Sequence, residues 1–333
     1  MEREDKPAWS AVPLAFRAQV EELLGARVAR AQRAYGGYGP SATFTLTTAG
    51  GSRAFLKATY PLAPGSAARW MLEPEERVYR RLGDLIRPWA PAYLGSVRAD
   101  GWHGLLLEAI DGEGVPPWSP AQARRAARSY AAFHASTVDR ELPRWLDRGH
   151  IEFSAFWQKL RGSVETIRAL AALAGERRGE GSAWLSAHID RLAMAERGLH
   201  RVRRPHVLLH LDTRSDNVRL QGDLLRMFDW PFAAAGPSEL DLAAFAQSIA
   251  SEGGPRCEEI VEWYAEVLPV RQDVLVASVA GVAGYFADSA PQAPLPGLPR
   301  LRAVQRQQLR STLAWAARLL GLPDPDWLEA VPG

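Results

Sequence analysis

The sequence predicts an α+β chain of two lobes, a smaller N-terminal one built on an antiparallel sheet and a larger, mostly helical C-terminal one. Three observations predict it. Residues 42–47 and 53–58 alternate apolar and polar side chains around a Gly50-Gly51 turn, the period of a half-buried hairpin. Residues 112–120 are rich in glycine and proline, the composition of a boundary between folding units. Beyond residue 120 the apolar residues recur at three- and four-residue spacing, the period of helices. The expected division is an N-terminal lobe over 1–111 and a C-terminal lobe over 112–333, with a helical insertion at about 151–200.

Taken in order, residues 12–24 read as an amphipathic helix. Residues 28–35 read as a first strand, on weaker alternation than the hairpin after it. Between them and the hairpin lies Tyr35-Gly36-Gly37-Tyr38-Gly39-Pro40-Ser41. Glycines let backbone N–H groups approach an anion with no Cβ in the way. The same stretch also reads as a plain flexible turn. Lys57 sits at the end of the hairpin's second strand. A helical pattern follows over 73–82, with Val78, Tyr79 and Leu82 at i+3, i+4 and i+7 from Glu75. That places Glu75 at the edge of the apolar face, the first choice of partner for Lys57. Glu76 is the alternative, and an unpaired acidic first turn behind Pro74 is a third reading. Residues 91–97 and 104–110 complete a five-stranded antiparallel sheet. Helices are expected over 120–137, 153–173, 183–199, 239–250, 255–267, 273–286 and 301–320, with a proline-rich loop at 287–299.

Composition narrows the classes. At 333 residues, 47% hydrophobic and 23% charged, the chain is of globular type and can bury two cores. A net charge of +2 gives no argument for nucleic acid or a membrane surface. A single cysteine, Cys257, excludes an intrachain disulfide and fits the cytoplasm. The start, MEREDKPAWS, has no apolar leader, and no apolar run is long enough to span a bilayer. Only three of the 40 basic residues are lysine, which makes a lysine inside a strand conspicuous.

Residues 205–230 carry the chemistry. His210-Leu211-Asp212 follows an apolar run, Asn217 comes five residues after Asp212, and a short hairpin through Gln221-Gly222-Asp223 ends at Asp229. Phosphoryl transfer needs positioning and charge neutralisation more than covalent help. One carboxylate must face the attacking hydroxyl, and hard oxygen donors must hold Mg²⁺. Asp212 suits the base, and Asn217 and Asp229 suit the metal, the hairpin folding them together. Asp and Asn are also ordinary turn residues. It is the agreement of the motif, the hairpin and the terminal Asp229 that favours chemistry.

HLDTRSDN resembles the catalytic loop of the aminoglycoside phosphotransferase-like family, small-molecule relatives of protein kinases. FDW with the following Asp241-Leu-Ala resembles that family's metal-binding Asp and the start of its next helix. The resemblance implies a bilobal protein-kinase-like fold and ATP, or GTP, bound with Mg²⁺. It implies Asp212 as catalytic Asp, Asn217 and Asp229 on the metal, and His210 and Asp241 as braces of the loop. Arg214 falls where kinases keep a cation near the transferred phosphate. Lys57 and the loop through Gly37, Gly39 and Ser41 fall where the phosphates are held. Backbone groups around Glu108 and Ile110 fall where adenine is held. Leu211 departs from the family's usual glycine, a change expected to touch packing more than chemistry.

Only eleven residues separate Asp229 from Asp241, too few for a segment that docks a peptide. The expected acceptor is therefore a hydroxyl of a small molecule, an antibiotic in the first reading. A metabolic kinase of a sugar, amino-sugar or amino alcohol, and a nucleotide-binding pseudokinase, are the alternatives. Glu259, Glu262 and Glu266 share a helical face that reads either as an ammonium-binding wall or as a solvated acidic face. The sequence carries no signal for oligomeric state.

Overall fold

The computed structural model describes residues 6–35, 41–61, 72–146 and 148–333. The fold is a kinase-like α+β one, and the chain divides into two compact units. The first comprises Met1–Gly114, Asp216–Phe232 and Leu295–Arg300; the second comprises Val115–Ser215, Ala233–Pro294 and Leu301–Gly333.

In the first unit, helix α1 (Leu14–Leu24) precedes strands β1 (Val28–Arg33), β2 (Ala42–Thr48) and β3 (Arg53–Thr59). Helix α2 (Leu72–Ile86) and strands β4 (Tyr93–Ala99) and β5 (Trp102–Glu108) follow. The five strands form one antiparallel sheet in the order β1-β2-β3-β5-β4. Period-two alternation sorts the side chains. Ala54, Leu56 and Ala58 of β3 and Phe44 and Leu46 of β2 face a core shared with Phe16 and Val20 of α1. Burying each of these larger side chains is worth about 1.5–3 kcal/mol. Lys57, between Leu56 and Ala58, points to the opposite face.

Strand β4 lies about two residues later than expected from sequence, and β5 about two residues earlier. Asp100 and Gly101 take φ of 50° and 76°, so they form the turn between β4 and β5. Positive φ at both central residues is the geometry of a tight two-residue hairpin.

The second unit is mostly helical. Helix α3 (Pro120–Ala135) starts at a capping box: Ser119 Oγ accepts from Gln122 N at 3.2 Å, and Gln122 Oε1 accepts from Ser119 N at 3.0 Å. The single helix expected over 153–173 is instead a short α4 (Gly149–Glu152), then α5 (Phe156–Arg161) and α6 (Val164–Ala172). Gly162 ends α5, and Ser163 caps α6 by accepting from Thr166 N at 3.2 Å. Helix α7 (Arg178–Glu196) begins five residues ahead of the expected start. Strand β6 (Val207–Leu209) follows in this unit.

Next, the first unit supplies a hairpin, β7 (Val218–Gln221) with β8 (Leu224–Met227). Back in the second unit, β9 (Ala234–Gly236) pairs antiparallel with β6, a partnership not anticipated from sequence. Helices α8 (Ser238–Ser251), α9 (Cys257–Ala265), α10 (Gln272–Ser289) and α11 (Leu301–Leu319) complete the unit. No helix among the described residues is long and apolar enough to cross a membrane.

Candidate active site

Lys57 is the centre of the first unit's polar chemistry. Its Nζ donates to Glu75 Oε2 at 2.7 Å and to Asp229 Oδ1 at 2.5 Å. Glu75 comes from the first turn of α2, and Asp229 from two residues beyond β8. Glu75 is buried, whereas the Asp229 side chain is 32% exposed. Burial pulls the Lys57 ammonium down, but Asp229 and then Glu75 outweigh it and hold its pKa above the ordinary value. Burial pushes the Glu75 carboxyl up to about 7 against the pull of Lys57. Lys57 therefore stays charged and is shared by two carboxylates. Glu76 is engaged elsewhere, accepting from Ser96 Oγ at 2.7 Å and Arg98 Nη2 at 2.8 Å, with His103 Nε2 at 2.9 Å.

The same unit holds Asn217, buried in a 3₁₀ turn over Ser215–Asn217. Phe228 N donates to Asn217 O at 2.9 Å, which brings the backbone ahead of Asp229 against Asn217. Asp229 itself has a left-handed φ of 69°, which Asp tolerates better than most residues. An amide and a carboxylate are hard oxygen donors of the kind Mg²⁺ accepts. Among the described residues, no group of three or more His, Cys, Asp or Glu gathers to hold a metal. Magnesium commonly binds through one or two protein oxygens, with substrate phosphates and water filling the rest, so this donor set fits it.

Ser41 lies just ahead of β2. Gly37 and Gly39 fall outside the described residues. Glu108 closes β5: its backbone N donates to Ala92 O at 2.9 Å, and its carboxylate takes Arg226 at 3.1 Å. Ile110 follows the strand and is half-buried.

The loop with Asp212 is built in the second unit from β6. Asp241, buried in the first turn of α8, accepts from His210 N at 2.6 Å and Leu211 N at 2.7 Å. His134 Nε2 stands 3.2 Å from the same carboxylate, and its Nδ1 lies 2.7 Å from the Tyr264 hydroxyl. Burial alone would raise the Asp241 pKa. The bonds and charge of His134, with bonds from Tyr130 and His210 N, hold it below the ordinary value. Asp212 N donates to His210 Nδ1 at 3.2 Å, and Tyr130 OH stands 2.9 Å from Thr213 Oγ1. Thus His210 and Asp241 both meet the loop backbone. His134, Tyr130, Tyr264 and Thr213 extend that network.

Arg214 Nη2 is 3.5 Å from Asp212 Oδ2. Leu211 adopts φ of 61°. A left-handed φ costs a side chain with a Cβ roughly 1–2 kcal/mol, so the departure from glycine here is a backbone matter as well as a packing one. The leucine packs where a Cβ on Gly149 would come within 2.6 Å of its Cδ1.

The phosphotransferase enzyme family model matches residues 30–274. The chain belongs to the phosphotransferase enzyme family. No curated protein is similar enough to match it. Solved structures share its fold. Spectinomycin phosphotransferase APH(9)-Ia, in complex with ADP and spectinomycin, is 16% identical, with 94% of this chain and 97% of that one covered and a TM-score of 0.56. A Thermobifida fusca YX-ER1 protein described as a fructosamine-3-kinase is 21% identical over 91% of this chain and 100% of that one, with a TM-score of 0.52. Amicoumacin kinase hAmiN, with AMP-PNP and Ca²⁺, is 12% identical over 95% of this chain and 93% of that one, with a TM-score of 0.53. At these identities the likeness is one of fold. Family membership makes the chain a phosphotransferase.

Proposed function

We propose that this phosphotransferase moves the γ-phosphate of ATP to a hydroxyl of a small molecule. The observation that supports this most is the sharing of Lys57 by Glu75 and Asp229, which come from distant parts of the chain to one cation. An ammonium held charged there suits the phosphates of a nucleotide, and Glu75 keeps it aimed. Ser41, just ahead of β2, takes part in holding the phosphates, and backbone groups near Glu108 and Ile110 hold the base. Asn217 and Asp229 hold Mg²⁺, which when bound neutralises charge on the phosphates.

Asp212 faces the acceptor hydroxyl. The hydroxyl oxygen bonds to the γ-phosphorus as the bond from that phosphorus to the β–γ bridging oxygen breaks. ADP leaves with the bridging oxygen, and the hydroxyl proton passes to Asp212. Arg214 places a guanidinium against the transferred group, and its 3.5 Å pairing with Asp212 orients that carboxylate. His210 and Asp241 hold the loop that presents both residues.

An antibiotic leads the acceptor candidates, with resistance as the consequence, because spectinomycin phosphotransferase and amicoumacin kinase share the fold. The fructosamine-3-kinase neighbour keeps sugars and amino-sugars beside it. The test is ADP release with Mg-ATP, and with Mg-GTP as control, over a panel of antibiotics, sugars, nucleosides and amino alcohols. Acceptor-dependent release should fall roughly 10²–10⁴-fold in Asp212→Ala, with nucleotide binding retained. Wild-type turnover in that variant would remove Asp212 from the role.

A further inference from the structure

Helix α10 lies against the segment that follows α4 at unusually short range. A Cβ on Gly281 would collide with the carbonyl oxygen of Phe153, and one on Gly284 would stand 2.8 Å from Phe156 Cβ. Phe153 in turn directly follows α4, whose Gly149 packs on Leu211, the residue before Asp212. These contacts carry Tyr285 of α10 to the neighbourhood of Asp212. The Tyr285 ring centroid is 5.8 Å from that of Phe153 and 5.6 Å from that of Phe156, and the two phenylalanines are 5.8 Å apart. An aromatic cluster is thus built from this unit's own residues, linked through α4 to the loop that carries Asp212.

The charges acting on the Tyr285 phenol are informative. Burial and then the Asp212 carboxylate raise its pKa, while a hydrogen bond with Gln305 and the guanidiniums of Arg214 and Arg302 oppose the rise. The phenol therefore stays protonated and can donate. Of the groups whose charge reaches the phenol, Asp212 is paired with Arg214 at 3.5 Å. Arg302 is buried and fixed by the carbonyls of Ser289 and Ala293 and by Gln305.

An acceptor carrying several ammonium groups needs several converging carboxylates, and several of this unit's carboxylates are already paired. Asp288, one turn beyond Tyr285, takes Lys159 at 2.9 Å. Glu252 takes Trp118 Nε1 at 2.8 Å and the Ser215 hydroxyl. Glu266, from the acidic face noted in the sequence, takes Arg124 at 2.9 Å and also Arg128, and Glu259 accepts from Arg256 N at 3.0 Å. Glu152, exposed beside Phe153, is a single carboxylate. Low-dielectric surroundings strengthen the repulsion of an ammonium by Arg214 and Arg302.

We infer that the acceptor is a neutral, ring-bearing alcohol of the sugar or nucleoside type rather than a polyamine, and that Tyr285 is a positioning residue for it. The inference rests on the reading that Asp212 faces a small-molecule hydroxyl. The apolar face of such a ring lies on Tyr285, Phe153 and Phe156, and the phenol donates to an oxygen beside the reacting hydroxyl.

The test compares kcat and KM for neutral acceptors (N-acetylglucosamine, uridine, adenosine) with those for polyamines (kanamycin, neomycin) in wild type, Tyr285→Phe and Tyr285→Ala. Neutral acceptors should exceed polyamines in kcat/KM by about tenfold or more. Tyr285→Phe should raise the acceptor KM about 2–10-fold, the loss of one neutral hydrogen bond, with the ATP KM unchanged. Tyr285→Ala should raise it further by removing the stacking surface. Preference for a polyamine, or an acceptor KM that ignores both variants, overturns the inference and leaves the phosphotransferase reading standing. Absence of acceptor-dependent ADP release with every compound, in protein that binds Mg-ATP, overturns both.

Discussion

Lys57 and Asp229 stand 172 residues apart in the chain and 2.5 Å apart in space. Strand β3 supplies one and the end of the β7–β8 hairpin the other. With Glu75 at 2.7 Å on the same Nζ, one ammonium is shared by two carboxylates. Such a cluster is balanced only while the cation is present. Remove it, and two like charges face each other with one of them buried.

Lys57→Ala should therefore lower kcat/KM for ATP by roughly 10²–10³-fold, the usual effect of deleting a preorganised charge aimed at phosphates. Glu75→Gln should be milder, because the amide oxygen can still accept from Lys57. Steady-state kinetics in ATP, with nucleotide binding measured separately, distinguishes the two. A Lys57→Ala protein with wild-type kcat/KM for ATP would remove Lys57 from the nucleotide site.

Much of the sheet was legible because Ala54, Leu56 and Ala58 alternate with Arg53, Phe55 and Lys57, and only one pleat face meets α1. Strand β5 was placed late because its leucines run without alternation, as in a strand covered on both faces. The Asp100-Gly101 pair was the signal that could have corrected it. The break within 153–173 was written in Gly162-Ser163, but the apolar spacing continues across it. Helix phase put Glu75 ahead of Glu76 as the partner of Lys57 but could not close the choice, since both are buried, against different partners. The network of His134, Tyr264 and Asp241 joins residues 107 and 130 positions apart, a separation about which periodicity is silent.

Asp241 offers a second prediction, on the loop rather than the nucleotide. Its buried carboxylate takes two backbone N–H groups and faces the buried His134. In Asp241→Asn only one oxygen remains, and the amide NH₂ opposes one of those N–H groups. A buried donor left unmet costs about 1–3 kcal/mol, more when the lost partner was charged. The thermal midpoint should fall by roughly 2–5 °C. Hydrogen exchange at the His210 and Leu211 amides should accelerate more than exchange in the N-terminal sheet. Unchanged protection of those two amides would mean that Asp241 does not hold the loop.

A third prediction concerns acid. His150 of α4 packs edge-to-face on His206 with ring centroids 4.9 Å apart, and a Cβ on Gly236 of β9 would stand 3.2 Å from its Nδ1. Burial first, then the neighbouring His206, lowers the His150 pKa from 6.5 to about 4. His206 is lowered too, again mainly by burial. The folded-state pKa is below the unfolded one, so the unfolded chain takes up the proton first. The contribution to stability is present above about 6.5 and is lost as pH falls toward about 4. His206 leads directly into β6, and Gly236 belongs to the β9 strand paired with it, so the loss falls on the base of the Asp212 loop. Thermal midpoints between pH 7.5 and 4.5 should drop more steeply in wild type than in His150→Gln, which has no proton to gain. Parallel curves for the two proteins would show that the histidine pair is protonated with no cost to the fold.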